Sequence, residues 1–473
     1  MTELPFATIT ELARAIRGGE IGPVELTEKL LDRIGGLDGK LHAFIGLTAE
    51  RAMDEARAAE AALARGDDLG PLHGIPYAAK DLFDVAGEAT TAGTHLLTDN
   101  IAAADCAAVR RLAAAGMVLL GKTHTVQFAA TIIGINHDQG TPHNPWHAEP
   151  HVPGGSSSGS GVAVGGGLAP MALGTDTGGS VRAPSSLCGT VGLKTTVGRV
   201  SRAGVYPLSW TLDSVGPLTR SVEDAALVYQ ALRGFDADDD TTLHLPEQDV
   251  LANLKSGVQG LRLAFGETMF FDDLDPEVEA AVRASGAVFR ELGATVDGIE
   301  LPEAAATREI PDRLAGIAVE AYHYNRRLLD DHADELDPVI LWLALGKEMA
   351  APDYFALLRR RAELRRAIIE RLRDVDALLV PTTPMPARPV ALVDADPASH
   401  DAHARPYARN TSTGNFLNLC AVSLPCGFTN DGLPIGLMIY AKPYHEEMAL
   451  RVAHAYEQAT DWHFRRPDLS WAS

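Results

Sequence analysis

Apolar positions recur at helical spacing through the first part of the chain. Leu12 and Ile16 form a stripe behind Ala7-Thr8-Ile9-Thr10, which can cap a helix, and Gly18-Gly19 stops it. Pro23 opens a second helix with a broad apolar face of Val24, Leu26, Leu30, Leu31 and Ile34. Residues 50–65 are alanine-rich, predicting a solvated helix that ends at Gly66. The period changes at residues 73–85. Gly74-Ile75-Pro76-Tyr77-Ala78-Ala79 predicts a short extended segment leading to Lys80. Successive strand side chains face opposite sides, so Lys80 and Asp81 are expected to point apart. Residues 104–115 predict a helix and 117–120 a strand, residues 188–199 continue the sheet, and 221–232 form a helix. Residues 261–265, 275–292 and 294–296 predict strand, helix and strand of a parallel sheet. Residues 303–375 are mostly helical, with arginines interleaved among acids as on a solvated face. A buried strand at 377–380, a strand pair around Asn430-Asp431-Gly432 and a helix at 446–459 complete the chain, and no internal repeat is visible.

Residues 154–185 fit neither pattern. They begin with a glycine and serine run, pass through Val162, Val164, Leu168, Met171 and Leu173, and end in a second glycine turn carrying Ser180. A flexible linker is polar throughout, and this stretch is not. Glycine density of this kind marks backbone that approaches something closely or adopts conformations closed to other residues.

Gly154-Gly155-Ser156-Ser157-Ser158-Gly159, followed by Gly174-Thr175-Asp176-Thr177-Gly178-Gly179-Ser180-Val181-Arg182-Ala183-Pro184, resembles the signature of the amidase signature family, with every fixed position filled. A second similarity lies at Gly74 to Asp81. The resemblance implies a Lys80–Ser156–Ser180 triad with Ser180 as nucleophile. It also implies a non-proline cis peptide at Ser156, and a single large α/β domain over residues 1–473. That domain has a central mixed sheet covered on both faces by helices. Within it, residues 1–70 are a helical N-terminal segment, 71–235 the catalytic core, and 300–375 a helical segment on the substrate side.

A serine hydroxyl needs a base to attack at neutral pH, and a lysine serves only when neutral. Tyr77, Ala78, Ala79, Leu82 and Phe83 make an apolar setting in which burial can lower the Lys80 amine. Thr177, Gly178, Gly179 and Ser180 can offer successive backbone N–H groups to an oxyanion, each worth about 3 kcal/mol in a transition state. Ser157 is expected to support this network, with Asp176 and Arg182 as a pair bracing the loop. Gln127, Thr131, Tyr206, Trp210 and Tyr322 are the expected pocket residues.

Composition narrows the reading. The 473 residues carry 41 Lys+Arg against 63 Asp+Glu, a net charge of −22. So acidic a chain has no general footprint for nucleic acid or anionic membrane. Four scattered cysteines make neither a disulfide framework nor a CxxC site. The N-terminus lacks a basic start and an apolar core, so a cytoplasmic protein is expected. The expected partner is a small-molecule amide, with no cofactor, and a homodimer is left open.

Three rival motifs lack their context. Gly116 to Thr123 fits the phosphate-loop spacing, but its variable positions are apolar and predict the strand itself. Gly155 to Gly159 fits a nucleophile elbow on Ser157, but prolines and no strand precede it. His143, His147 and His151 are spaced by four, but Pro145 and Pro150 exclude a helix, so the loop 136–153 is expected to carry no metal and to form a wall near the active site. Two functions remain on the resemblance: a stand-alone hydrolase of linear amides, working through an acyl-enzyme on Ser180, and the ammonia-generating component of an aminoacyl-tRNA amidotransferase. Where that component has Asp-Glu-Phe-Ala, this chain has Val126-Gln127-Phe128-Ala129. Where it has an aspartate for the glutamine ammonium group, Tyr407 to Ser412 contains no acid. The hydrolase is therefore favoured.

Overall fold

Eleven strands pair into one sheet in the computed structural model, which describes residues 4–246, 249–310 and 313–472. In chain order they are β1 (Phe44–Leu47), β2 (Pro76–Lys80), β3 (Val118–Thr123), β4 (Met171–Asp176), β5 (Val191–Lys194), β6 (Ser214–Thr219), β7 (Arg262–Gly266), β8 (Thr295–Ile299), β9 (Ala377–Pro381), β10 (Cys420–Phe428) and β11 (Pro434–Ala441). Their order across the sheet is β1-β3-β2-β4-β6-β5-β10-β11-β9-β7-β8. The β3-β2-β4 and β9-β7-β8 groups are parallel, and the remaining pairs are antiparallel. This is the mixed α/β sheet expected.

Every residue of β2, β3, β4 and β6 is buried. Alternate strand residues face opposite sides, so full burial means both faces are covered. The strand–helix–strand prediction holds: β7, the helix Pro276–Glu291 and β8 form one parallel unit. The strand pair around Asn430-Asp431-Gly432 is the β10–β11 hairpin. Residues 303–375 are helical as predicted. Thr8 caps the helix Ile9–Arg17 with a reciprocal bond from Glu11.

Three expectations change. Residues 188–199 are not one continuous strand, because Cys188 ends the helix Arg182–Cys188 and only Val191–Lys194 pairs. The short strand β1 has no apolar alternation to announce it, and its pairing with β3 creates it. The helix Ala49–Ala64 is less solvated than its composition predicts, since Ala52, Ala56 and Ala59 are buried.

The glycine-rich stretch is core. Ser158–Gly165 is a helix with every residue buried, and β4 follows it. A Cβ on Gly159 would lie 2.2 Å from the Ala43 carbonyl oxygen and 2.4 Å from the His124 nitrogen, so only glycine allows this approach. Helix and strand run back to back, holding the turn before the helix beside the turn after β4.

Candidate active site

Lys80 is the last residue of β2 and is fully buried. Its Nζ lies 2.7 Å from Ser156 Oγ and 2.8 Å from Thr175 Oγ1. The β2–β4 register pairs Ala79 with Leu173, which brings Lys80 alongside the end of β4. Asp81 points the other way, 2.6 Å from Lys122. Lys122 is the lysine of the phosphate-loop spacing, and it sits within β3, as the apolar positions before it require. Burial lowers the Lys80 amine to about 7, against opposing pulls from the Asp213 and Asp176 charges.

Ser156 follows a cis peptide bond from Gly155. Ser157 donates its N–H to the Ser180 carbonyl at 3.3 Å, tying the two turns together. Ser157 Oγ lies 3.3 Å from both the nitrogen and the carbonyl oxygen of Thr175, so it is engaged with β4. Ser180 is 4% exposed, and with Thr177 and Gly178 it lines a cavity of about 850 Å³.

Of the four amides expected to face an oxyanion, one is committed elsewhere. Gly179 donates to Asp176 Oδ1 at 2.9 Å. The amides of Thr177, Gly178 and Ser180 have no acceptor among the described residues. Gly179 has φ +133°, and a Cβ there would lie 2.2 Å from Thr411 Oγ1. That close approach holds the turn against the helix Pro397–Leu417, whose Thr411 hydroxyl donates to the Gly178 carbonyl at 2.7 Å.

Asp176 and Arg182 form a fully buried ion pair at 2.9 Å. Arg182 also donates to Tyr440 Oη at 2.8 Å and to the Thr411 carbonyl at 3.0 Å, and Asn415 Nδ2 donates to Asp176 Oδ1 at 2.7 Å. Burial pushes the Asp176 carboxyl up, but the Arg182 charge and hydrogen bonds outweigh it and hold it well below the usual carboxylate range. The bracing pair read from the sequence thus links β4, the nucleophile turn, β11 and the helix Pro397–Leu417.

The pocket is where the sequence expectations need most correction. Thr131 lines the Ser180 cavity as expected. Gln127 does not, because its amide donates to Asp138 at 2.8 Å and accepts from the Asp337 amide at 2.9 Å. Tyr206 is turned onto Asn325 at 2.7 Å. Tyr322 is turned onto Asp330 at 2.7 Å. Trp210 is 50% exposed and belongs to a second cavity of about 360 Å³, shared with Thr175, Arg202 and Asp213. Neighbours of these residues do line the main cavity: Leu208, Ile317 and Ala318, with Ala408 and Ser412 from the helix Pro397–Leu417.

The loop 136–153 is not a wall of that cavity. It braces the helix Arg182–Cys188 through Asn144 Nδ2 to the Leu187 carbonyl and Trp146 Nε1 to the Cys188 carbonyl, at 3.0 and 2.8 Å. Its turn brings ligand atoms of His147, Glu149 and His151 within 4.8 Å of one another without a helix.

Two residues next to the predicted triad were not singled out in the sequence. Thr175 holds the Lys80 amine, and Asp213 accepts from the Thr177 hydroxyl and from the amides of Leu208 and Ser209. Thr175 stands within the signature run itself. Asp213 follows Trp210 in a segment also set apart by sequence.

The Amidase family model matches residues 25–450. The chain belongs to the amidase family. It is 41% identical to an amidase of Pseudomonas putida, over 99% of both chains. It is 37% identical to the amidase-like component of the glutamyl-tRNA(Gln) amidotransferase of Chloroflexus aggregans, over the whole of both. Among solved structures it superimposes with a TM-score of 0.88, at 34% identity and over 96% of this chain and 98% of the other, on a chain from a vestigial protein complex bearing on the origins of an s-triazine catabolic enzyme. The family hydrolyses amide bonds, and this chain is an amide hydrolase of that fold.

Proposed function

We propose that the protein hydrolyses linear, non-peptide amides as a single chain, through an acyl-enzyme on Ser180. The observation that supports this most is the 2.7 Å contact between Lys80 and Ser156, with a buried amine lowered to about 7. A neutral amine has two N–H donors and one lone pair. Donation to Thr175 Oγ1 leaves the lone pair for the Ser156 hydroxyl proton. Ser156 in turn takes the Ser180 proton as Ser180 Oγ attacks the amide carbon. The free amides of Thr177, Gly178 and Ser180 stabilise the oxyanion. Collapse expels amine or ammonia, which takes up the proton, and water then attacks the ester by the same route in reverse. No step calls for a cofactor. Four free, buried cysteines support a cytoplasmic setting.

The test is turnover of an amide panel by the purified chain, followed by ammonia release and product mass. A fluorophosphonate is expected to leave its mass on the peptide containing Ser180. Mass on Ser157 would sink the Ser180 assignment. Turnover that appears only with partner chains would move the reading to an amidotransferase component.

A further inference from the structure

We propose that the substrate carries a carboxylate, recognised by Arg409 and Ser412 a short distance from the bond to be cut. This rests on the amidase reading and names the substrate class of the same cavity.

Four buried polar side-chain atoms of residues lining the Ser180 cavity have no hydrogen-bond partner: Thr131 Oγ1, His400 Nε2, Arg409 Nη2 and Ser412 Oγ. Buried polar groups are nearly always satisfied, so a cavity wall with several unsatisfied ones is completed by what it binds. A guanidinium has donors and no acceptors, and the two hydroxyls can also donate. The complementary group is an acceptor bearing negative charge, and a carboxylate suits the planar guanidinium best.

The charges in the wall support the same choice. Arg405 is spoken for by Asp401 at 2.8 Å. Arg308 and Arg409 also line the cavity, and neither has an ion-pair partner within 4.0 Å among the described residues. Asp273 lines it too, and with Asp272 it acts on Arg409 through charge alone, beyond that distance.

Position sets the length of the substrate. A Cβ built on Gly178 would lie 4.0 Å from Ser412 Cβ, so Ser412 stands beside the nucleophile turn. Arg409 is three residues earlier on the same helix, hence on the same face and about 5 Å along it. An anionic group held between them sits only a few bonds from the scissile carbonyl. The half-amide of a short dicarboxylic acid has that shape.

Succinamate and butyramide, of equal chain length, separate carboxylate recognition from apolar fit. The wild-type enzyme is expected to show at least a tenfold higher kcat/KM on succinamate. Arg409→Gln should bring the ratio near unity, mainly through KM for succinamate, and Arg409→Lys should restore part of it. Fluorophosphonate labelling of Ser180 verifies that each variant is folded, and Ser412→Ala carries the same test if Arg409→Gln is not. Equal or better use of butyramide by the wild type, or an unchanged ratio in folded Arg409→Gln, overturns the proposal. If neither amide is turned over, calorimetry on Ser180→Ala decides. Succinamate binding that Arg409→Gln weakens tenfold supports the carboxylate site, and no preference over butyramide rejects it. Failure of the amidase reading looks different: Ser180 stays unlabelled and no amide is cut.

Discussion

Lys80 and Ser156 are 76 residues apart in the chain, yet their functional atoms lie 2.7 Å from each other with no carboxylate in contact with the amine. The nearest candidate, Asp81, is paired with Lys122 on the other side of the strand. Alternation along β2 therefore separates a lysine that must be neutral from the acid beside it in sequence. Lys80→Ala is expected to lower kcat by a factor of about 10² to 10⁴, the usual range for loss of a general base. The kcat/KM profile of the wild type should carry an acid limb near pH 7, which disappears in the variant. Retention of more than about a tenth of wild-type turnover would end the base assignment.

The same amine makes a stability prediction. Its folded pKa of about 7 lies below the ordinary 10.5, so the unfolded chain holds more protons between those values. Wild-type stability therefore rises with pH through that window, and the penalty is full below about 7. Each unit of depression corresponds to about 1.4 kcal/mol. Lys80→Met should thus be more stable relative to wild type at pH 6.5 than at pH 10. Denaturant unfolding at the two values measures this, and a pH-independent difference would contradict a depressed amine.

Asp176 and Arg182 give the opposite sign. The folded carboxyl is held below its ordinary value, so its stabilisation is present above about pH 4 and fades as pH falls below that. Asp176→Asn leaves the Arg182 guanidinium buried without its counter-charge. A loss of about 3–5 kcal/mol is expected by analogy with other broken buried pairs. Arg182→Met in the same chain should recover part of that loss, which a double-mutant cycle by chemical denaturation would measure.

The sheet and the triad positions could be read from sequence because they rest on local signals. Apolar runs mark β4 and β9, turn residues mark the β10–β11 hairpin, and the signature marks Ser156 and Ser180. The cavity wall could not be read this way. Tyr206 and Tyr322 have the chemistry of pocket residues, but each hydroxyl has a partner outside the cavity. Arg409 and Ser412 lie more than two hundred residues after Ser180, on a helix whose mixed composition shows no face. Contact of that helix with Gly178 and Arg182 decides which residues turn inward, and no local pattern records it. Gly179 shows the same limit: its place in the turn is legible, but the capture of its amide by Asp176 is not.

Thr175 is the remaining untested part of the proton route. Its hydroxyl accepts from Lys80 at 2.8 Å, and it lies near the end of β4, just before the nucleophile turn. We expect it to position the amine, so that the lone pair faces Ser156. Thr175→Val keeps the shape and removes the acceptor. The charged amine loses a hydrogen bond that favours it, so the Lys80 pKa should fall further and the acid limb should move below pH 7. Turnover should drop because the amine is no longer held at one angle, with KM little changed. Thr175→Ser, which restores the hydroxyl, should return both rate and limb toward wild type. A purely structural role would lower the amount of folded enzyme and leave the limb where it was. An unmoved limb in folded Thr175→Val, or failure of Thr175→Ser to restore it, would refute the positioning role.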